Sequence, residues 1–114
     1  MLTRKIAQII YDKKGFNIIA MDVKNLCSMA DYLIIAEGSV ERHIRAIADE
    51  IIEEIEDDPL QIEGLKGSDW IVINYPNVLV HLFKPELRQK YSLEKLWNMG
   101  QIIDLKIKLK EDHE

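Results

Sequence analysis

From Thr3 to Lys14 the apolar residues Ile6, Ile9 and Ile10 recur at i, i+3 and i+4. Thr3 is placed to cap the start, and Lys13-Lys14-Gly15 gives a cationic end followed by a stop residue, so the spacing predicts a short amphipathic helix. Phe16 to Val23 is dense in Phe, Ile and Val and too short for another helix; it reads as a strand. Asp31-Tyr32-Leu33-Ile34-Ile35-Ala36 repeats that pattern and ends at Glu37-Gly38-Ser39, giving a second strand antiparallel to the first. The clearest helix follows. Ser39 is its expected N-cap, and Val40, Ile44, Ile47, Ala48, Ile51, Ile52 and Ile55 form its stripe. Asp49, Glu50, Glu53, Glu54 and Glu56 fill the opposite, solvated face, and Asp57-Asp58-Pro59 closes the run.

Leu60-Gln61-Ile62 is a candidate short strand. Asp69–Asn74 and Val78–Phe83 read as a β-hairpin around Tyr75-Pro76-Asn77, where proline fixes φ and asparagine tolerates a left-handed conformation. Pro85 suits a first helical turn, Leu87 and Tyr91 lie four apart, and Ser92 can cap a further turn through Trp97 before Asn98-Met99-Gly100. In the tail Ile103, Leu105, Ile107 and Leu109 alternate with Asp104, Lys106, Lys108 and Lys110, a strand period that suits an edge strand; a mobile extension is the other reading. The order α-β-β-α-β-β-α predicts an α/β (α+β) fold: one mixed β-sheet flanked by helices, with residues 1–100 as a single domain and 101–114 as a C-terminal extension.

Composition narrows the function. The chain has 114 residues, 47% of them hydrophobic, which leaves room for one self-sufficient domain. Lys and Arg number 15 against 20 Asp and Glu, a net charge of −5, so DNA is excluded as a partner and little direct RNA contact is expected. No apolar run approaches the roughly 20 residues of a membrane span. Cys27 is the single cysteine, so no internal disulfide is possible and a cytosolic location is expected.

Catalytic chemistry finds little support. His43, His81 and His113 fall on different segments, and no HxH, HExxH or CxxC spacing exists, so no metal is expected. One glycine beside Glu37 is a poor phosphate cradle, and no cofactor is expected. Gly38-Ser39 after a strand is similar to the Gly-Ser of nucleotidyltransferases. Those enzymes also need an Asp-x-Asp pair to hold metal ions, and this chain has none. Trp70, Tyr91 and Trp97, with Arg88 close by, are the residue types that dominate interfaces.

Several separated motifs then occur in order: Asp31-Tyr32-Leu33-Ile34-Ile35, Gly38-Ser39-x-x-Arg42-His43-x-x-Ala46-Ile47-Ala48, Glu63-Gly64, Asp69-Trp70-Ile71-Val72, Val80-His81 and Arg88-x-x-Tyr91-x-Leu93-Glu94-Lys95-Leu96-Trp97. Over roughly residues 3–98 this closely resembles the Iojap family of ribosomal silencing factors, RsfS. The resemblance implies a nucleotidyltransferase-like fold without catalytic function. It also implies a partner, the large ribosomal subunit, bound in the bacterial cytosol through ribosomal protein uL14. There the protein would bar the small subunit and lower translation in starvation or stationary phase. A role in large-subunit assembly is the alternative within the family, and a catalytic nucleotidyltransferase the alternative outside it. Carried over by position, the uL14 face comprises Trp70, Ile71, Asn74, Arg88, Tyr91, Leu93, Glu94 and Trp97. Family members usually have Asp where this chain has Asn74, which replaces a charge-assisted contact by a neutral one. The free protein is expected to be a monomer or a homodimer.

Overall fold

Helix α1 spans Leu2–Asp12 and turns Ile6, Ala7, Ile9 and Ile10 inward. The chain is described here from a computed structural model, over residues 2–24, 30–65, 69–86 and 101–102. Thr3 does not cap α1. The helix begins before it, and Thr3 shares the buried stripe of Ile6, Ala7 and Ile10, 1% exposed with its Oγ1 unpartnered. The other end closes in a Schellman motif: the Gly15 N–H donates to the Ile10 carbonyl at 2.8 Å and the Lys14 N–H to that of Tyr11 at 2.9 Å. Lys14 holds the left-handed position of that motif, at φ 69°, where glycine is usual. Gly15 is needed for a different reason, because a Cβ there would stand 2.4 Å from Cγ2 of Ile10.

Strands β1 (Phe16–Asp22) and β2 (Tyr32–Glu37) pair antiparallel, with two β1 residues opposing one of β2 between Phe16 and Ile19. Helix α2 covers Glu41–Glu54 and buries Ile44, Ile47, Ala48 and Ile51. Ser39 is not its N-cap: the cap residue is Val40, with no side-chain cap bond. Ser39 instead donates its backbone N–H to Nδ1 of His43 at 3.0 Å, while Nε2 of the same ring contacts the Lys13 carbonyl at 2.7 Å. An N–H can only donate and a carbonyl only accept, so the His43 proton sits on Nε2 and the ring ties the end of α1 to the start of α2. Helix α2 ends before the proline, with Ile55 already extended.

Strands β3 (Gln61–Glu63), β4 (Trp70–Asn74), β5 (Val78–Phe83) and β6 (Gln101–Ile102) complete the sheet, whose order is β3-β4-β5-β2-β1-β6. The hairpin loop is shorter than the sequence suggests. The Tyr75 N–H donates to the Val78 carbonyl at 2.9 Å, leaving Pro76 and Asn77 as the loop. Tyr75 itself is fully buried, and burial pushes its phenol pKa up. Strand β2 runs parallel to β5, and the Asn77 carbonyl accepts the Asp31 and Tyr32 N–H groups, both at 3.0 Å, where the two strands begin.

Alternation along the strands gives the sheet two distinct faces. Ala20, Ile34, Ala36, Ile71, Ile73, Val80 and Leu82 pack against α1 and α2 in the main core. Met21, Leu33, Ile35 and Phe83 form a second buried cluster, with Ile19, Leu79 and Trp70 packed against it. The single mixed sheet with flanking helices is therefore as expected. Helical backbone begins at Pro85 and Glu86, also as expected. Cys27, His113, the remainder of the 85–97 helical region and the tail strand over 103–110 lie outside the described residues.

Candidate functional site

The hairpin register places Trp70 opposite Phe83 and Val72 opposite His81. Residues paired across antiparallel strands share a face, and alternate residues along one strand share it too. Trp70, Val72, Asn74, Leu79, His81 and Phe83 therefore project from the side of the sheet opposite the two helices. Trp70 and Phe83 stand with centroids 4.8 Å apart, Trp70 and His81 5.8 Å apart, and His81 stacks on Phe83 at 5.7 Å with only 5° between planes. Phe83 is completely buried beneath the cluster, whereas Trp70 and His81 are half-buried. The result is an aromatic shelf with a solid floor.

A single polar bond fixes its orientation. The Trp70 Nε1–H donates to Nδ1 of His81 at 3.0 Å. Indole nitrogen can only donate, so the His81 ring is neutral with its own proton on Nε2. Burial depresses its pKa to about 4, far below the ordinary histidine value. Just outside the shelf the Lys84 N–H donates to the Asp69 carbonyl at 3.0 Å, and the two side chains form an ion pair at 3.6 Å. This pair closes the strand ends next to Trp70 and Phe83.

Of the residues expected at the contact face, Trp70 forms the shelf and Asn74 lies on the same face at the far end of β4. The Asn74 Oδ1 is buried without a hydrogen-bond partner. Ile71 requires correction: it is 1% exposed and points to the helices, into the main core, so its side chain offers nothing to a partner. Its neighbour Trp70 is the surface residue because strand geometry sends successive side chains to opposite faces. Arg88, Tyr91, Leu93, Glu94 and Trp97 lie outside the described residues. Sequence reasoning missed the pairing of His81 and Phe83 with Trp70. With the loop shortened to Pro76-Asn77, counting outward from Tyr75 and Val78 reaches all three.

Among the described residues no group of three or more His, Cys, Asp or Glu side chains could hold a metal ion, and no helix is long and apolar enough to cross a membrane. Ser39 Oγ lies 3.2 Å from Nδ1 of His43, but that nitrogen already accepts the Ser39 backbone N–H, and its geometry is that of a helix-start tie.

The family model described as "Ribosomal silencing factor during starvation" (RsfS) matches residues 1–114. A Bacillus subtilis ribosomal silencing factor RsfS is 33% identical over 97 residues, 82% of each chain. A mouse protein named mitochondrial assembly of ribosomal large subunit protein 1 is 27% identical over 105 residues, 87% of this chain and 46% of the mouse protein. Among solved structures, a crystal structure of a Chromobacterium violaceum protein superimposes with a TM-score of 0.79 at 27% identity, covering 94% of this chain and 91% of the other.

Proposed function

The chain belongs to the ribosomal silencing factor family RsfS, and from that premise we propose that it docks on the large ribosomal subunit through uL14 and bars the small subunit, repressing translation when nutrients are limiting. The observation that carries this reading is the Trp70–His81–Phe83 shelf. Half-exposed aromatic rings on a buried floor are the composition of an interface hot spot. Arg88, Tyr91, Leu93, Glu94 and Trp97 extend that contact face by resemblance, as does Asn74 at the far end of β4 on the same side of the sheet. Ile71 acts from behind, as the core residue that holds β4 in place.

The mechanism is occlusion and needs no bond chemistry. Its work is done by bulk seated on the joining surface of the subunit, in the bacterial cytosol. The acidic face of α2, with Glu50, Glu53 and Glu54 exposed or half-buried, attracts a basic ribosomal protein at long range and speeds encounter. The test is a pull-down from a bacterial lysate followed by binding of purified uL14. Large-subunit proteins, uL14 among them, are expected to co-purify, and purified uL14 to bind unaided. A chain that captures no large-subunit protein refutes the reading.

The mouse relative carries assembly of the large subunit in its name, which supports a second reading, a role in subunit maturation. Loss of the protein would then leave incompletely assembled large subunits in growing cells. Silencing alone would leave mature subunits and alter only their joining.

A further inference from the structure

Trp70 opens β4 directly opposite Phe83, the last residue of β5. A tryptophan side chain has two torsions to fix, and the surroundings decide which edge of the indole faces where. Phe83, completely buried, supports the indole at 4.8 Å between centroids, but an apolar ring contact does not distinguish one edge of the indole from the other. The hydrogen bond from Nε1–H to Nδ1 of His81 at 3.0 Å does, because only one edge carries a donor. His81 is itself held in place. Its ring stacks on Phe83 with 5° between planes and centroids 5.7 Å apart, and its backbone is paired opposite Val72, so the acceptor stands at a set position beside Trp70. Restraint therefore passes from Phe83 to His81 to Trp70. The same bond engages the one polar group of the indole, which leaves Trp70 to meet another molecule with its ring.

We propose that His81 is a positioning residue for docking: by accepting the Trp70 Nε1–H it holds the indole in its binding orientation before the partner arrives. That role presupposes the docking proposed above, with Trp70 as an anchor. A side chain that must be immobilised on binding weakens affinity by about two- to twelvefold relative to one already in place. His81 removes that cost in advance. It acts through Trp70 and needs no contact of its own with the partner, so its effect on binding disappears when the indole donor is absent.

Variants of the full chain separate the acceptor from the ring. His81→Phe keeps a ring to pack on Phe83 and loses the acceptor, whereas His81→Asn loses the ring and keeps an acceptor near the Nδ1 position. Binding of purified uL14 is expected to weaken about three- to tenfold in His81→Phe and to stay within about twofold of the native chain in His81→Asn, whichever variant is the more stable to denaturant. His81→Leu, a smaller side chain without an acceptor, is expected to behave as His81→Phe does. Trp70→Phe has no indole donor, so adding His81→Phe to it is expected to change affinity by less than about twofold. By NMR, the Trp70 Nε1–H is expected to exchange with water at least about tenfold faster in His81→Phe than in the native chain. Native affinity in a folded His81→Phe or His81→Leu chain overturns the proposal, as does a His81→Asn chain that binds as weakly as they do. An undiminished effect of His81→Phe in the Trp70→Phe chain, or indole exchange that does not move, overturns it equally. A native chain that fails to bind uL14 is a different result, and contradicts the docking itself.

Discussion

The indole Nε1–H of Trp70 is bonded to Nδ1 of His81 at 3.0 Å, and that contact is possible only while the imidazole is neutral. The bond links a half-buried indole on the sheet face to a titratable neighbour. The folded state keeps His81 unprotonated down to about pH 4, whereas the unfolded chain takes up its proton near 6.5. Acid between those values favours the unfolded state, so this contribution is complete above about pH 6.5 and lost as the pH falls toward 4. The total is on the order of 3 kcal/mol. His81→Asn keeps an acceptor near the Nδ1 position without titrating. Denaturant unfolding from pH 7 to 4 is expected to show a shallower loss of stability in the variant; identical slopes would remove His81 from the account.

Lys14 occupies a backbone conformation that costs a non-glycine residue about 1 kcal/mol. Lys14→Gly is expected to raise stability by about that amount, read as a rise of several degrees in Tm. Gly15→Ala places a methyl against Cγ2 of Ile10 and is expected to cost about 1–3 kcal/mol. Thermal melts of the two variants should therefore move in opposite directions.

Ile71 and Trp70 are adjacent in sequence and opposite in role. Ile71→Ala leaves a hole in the main core and is expected to cost about 2–5 kcal/mol by denaturant unfolding, with binding by the folded fraction retained. A variant of unchanged stability that fails to bind would place Ile71 on the surface after all.

The acidic side of α2 is expected to act through its field. The Glu54 carboxyl is shifted upward by the hydrogen bond its protonated form donates to Glu50, by burial and by the repulsion between the two groups, the mark of a crowded negative face. Replacing Glu50, Glu53 and Glu54 by Gln should slow association with large subunits at low salt and leave affinity near physiological salt within about twofold. Loss of binding at every salt concentration would make that face a direct contact.

The elements of this fold are legible because their patterns have clean periods. The Ile44-Ile47-Ile51 stripe and the Val78–Phe83 run locate a helix and a strand without ambiguity. Strand order is not legible, since nothing local indicates that β2 lies beside β5; the two Asn77 hydrogen bonds that align them exist only in the folded chain. The caps misled for a related reason. Thr3 and Ser39 are ordinary capping residues, but Thr3 lies on the buried stripe of α1, and the ring of His43 engages the Ser39 backbone. Trp70 and Ile71 are placed on one contact face by resemblance, which carries motifs but not the alternation of a strand, and that alternation sends Ile71 into the main core. The part played by His81 depended on counting the hairpin loop as two residues instead of three.

Sedimentation through a sucrose gradient tests the central claim most directly, with purified large subunits and either the native chain or Trp70→Ala. The native chain is expected to travel with the large subunits and to prevent added small subunits from joining them. Trp70→Ala, folded by circular dichroism, is expected to remain at the top of the gradient and leave joining unimpaired. If the variant sediments with the large subunits and blocks joining as the native chain does, the aromatic shelf is not the surface that silences the ribosome.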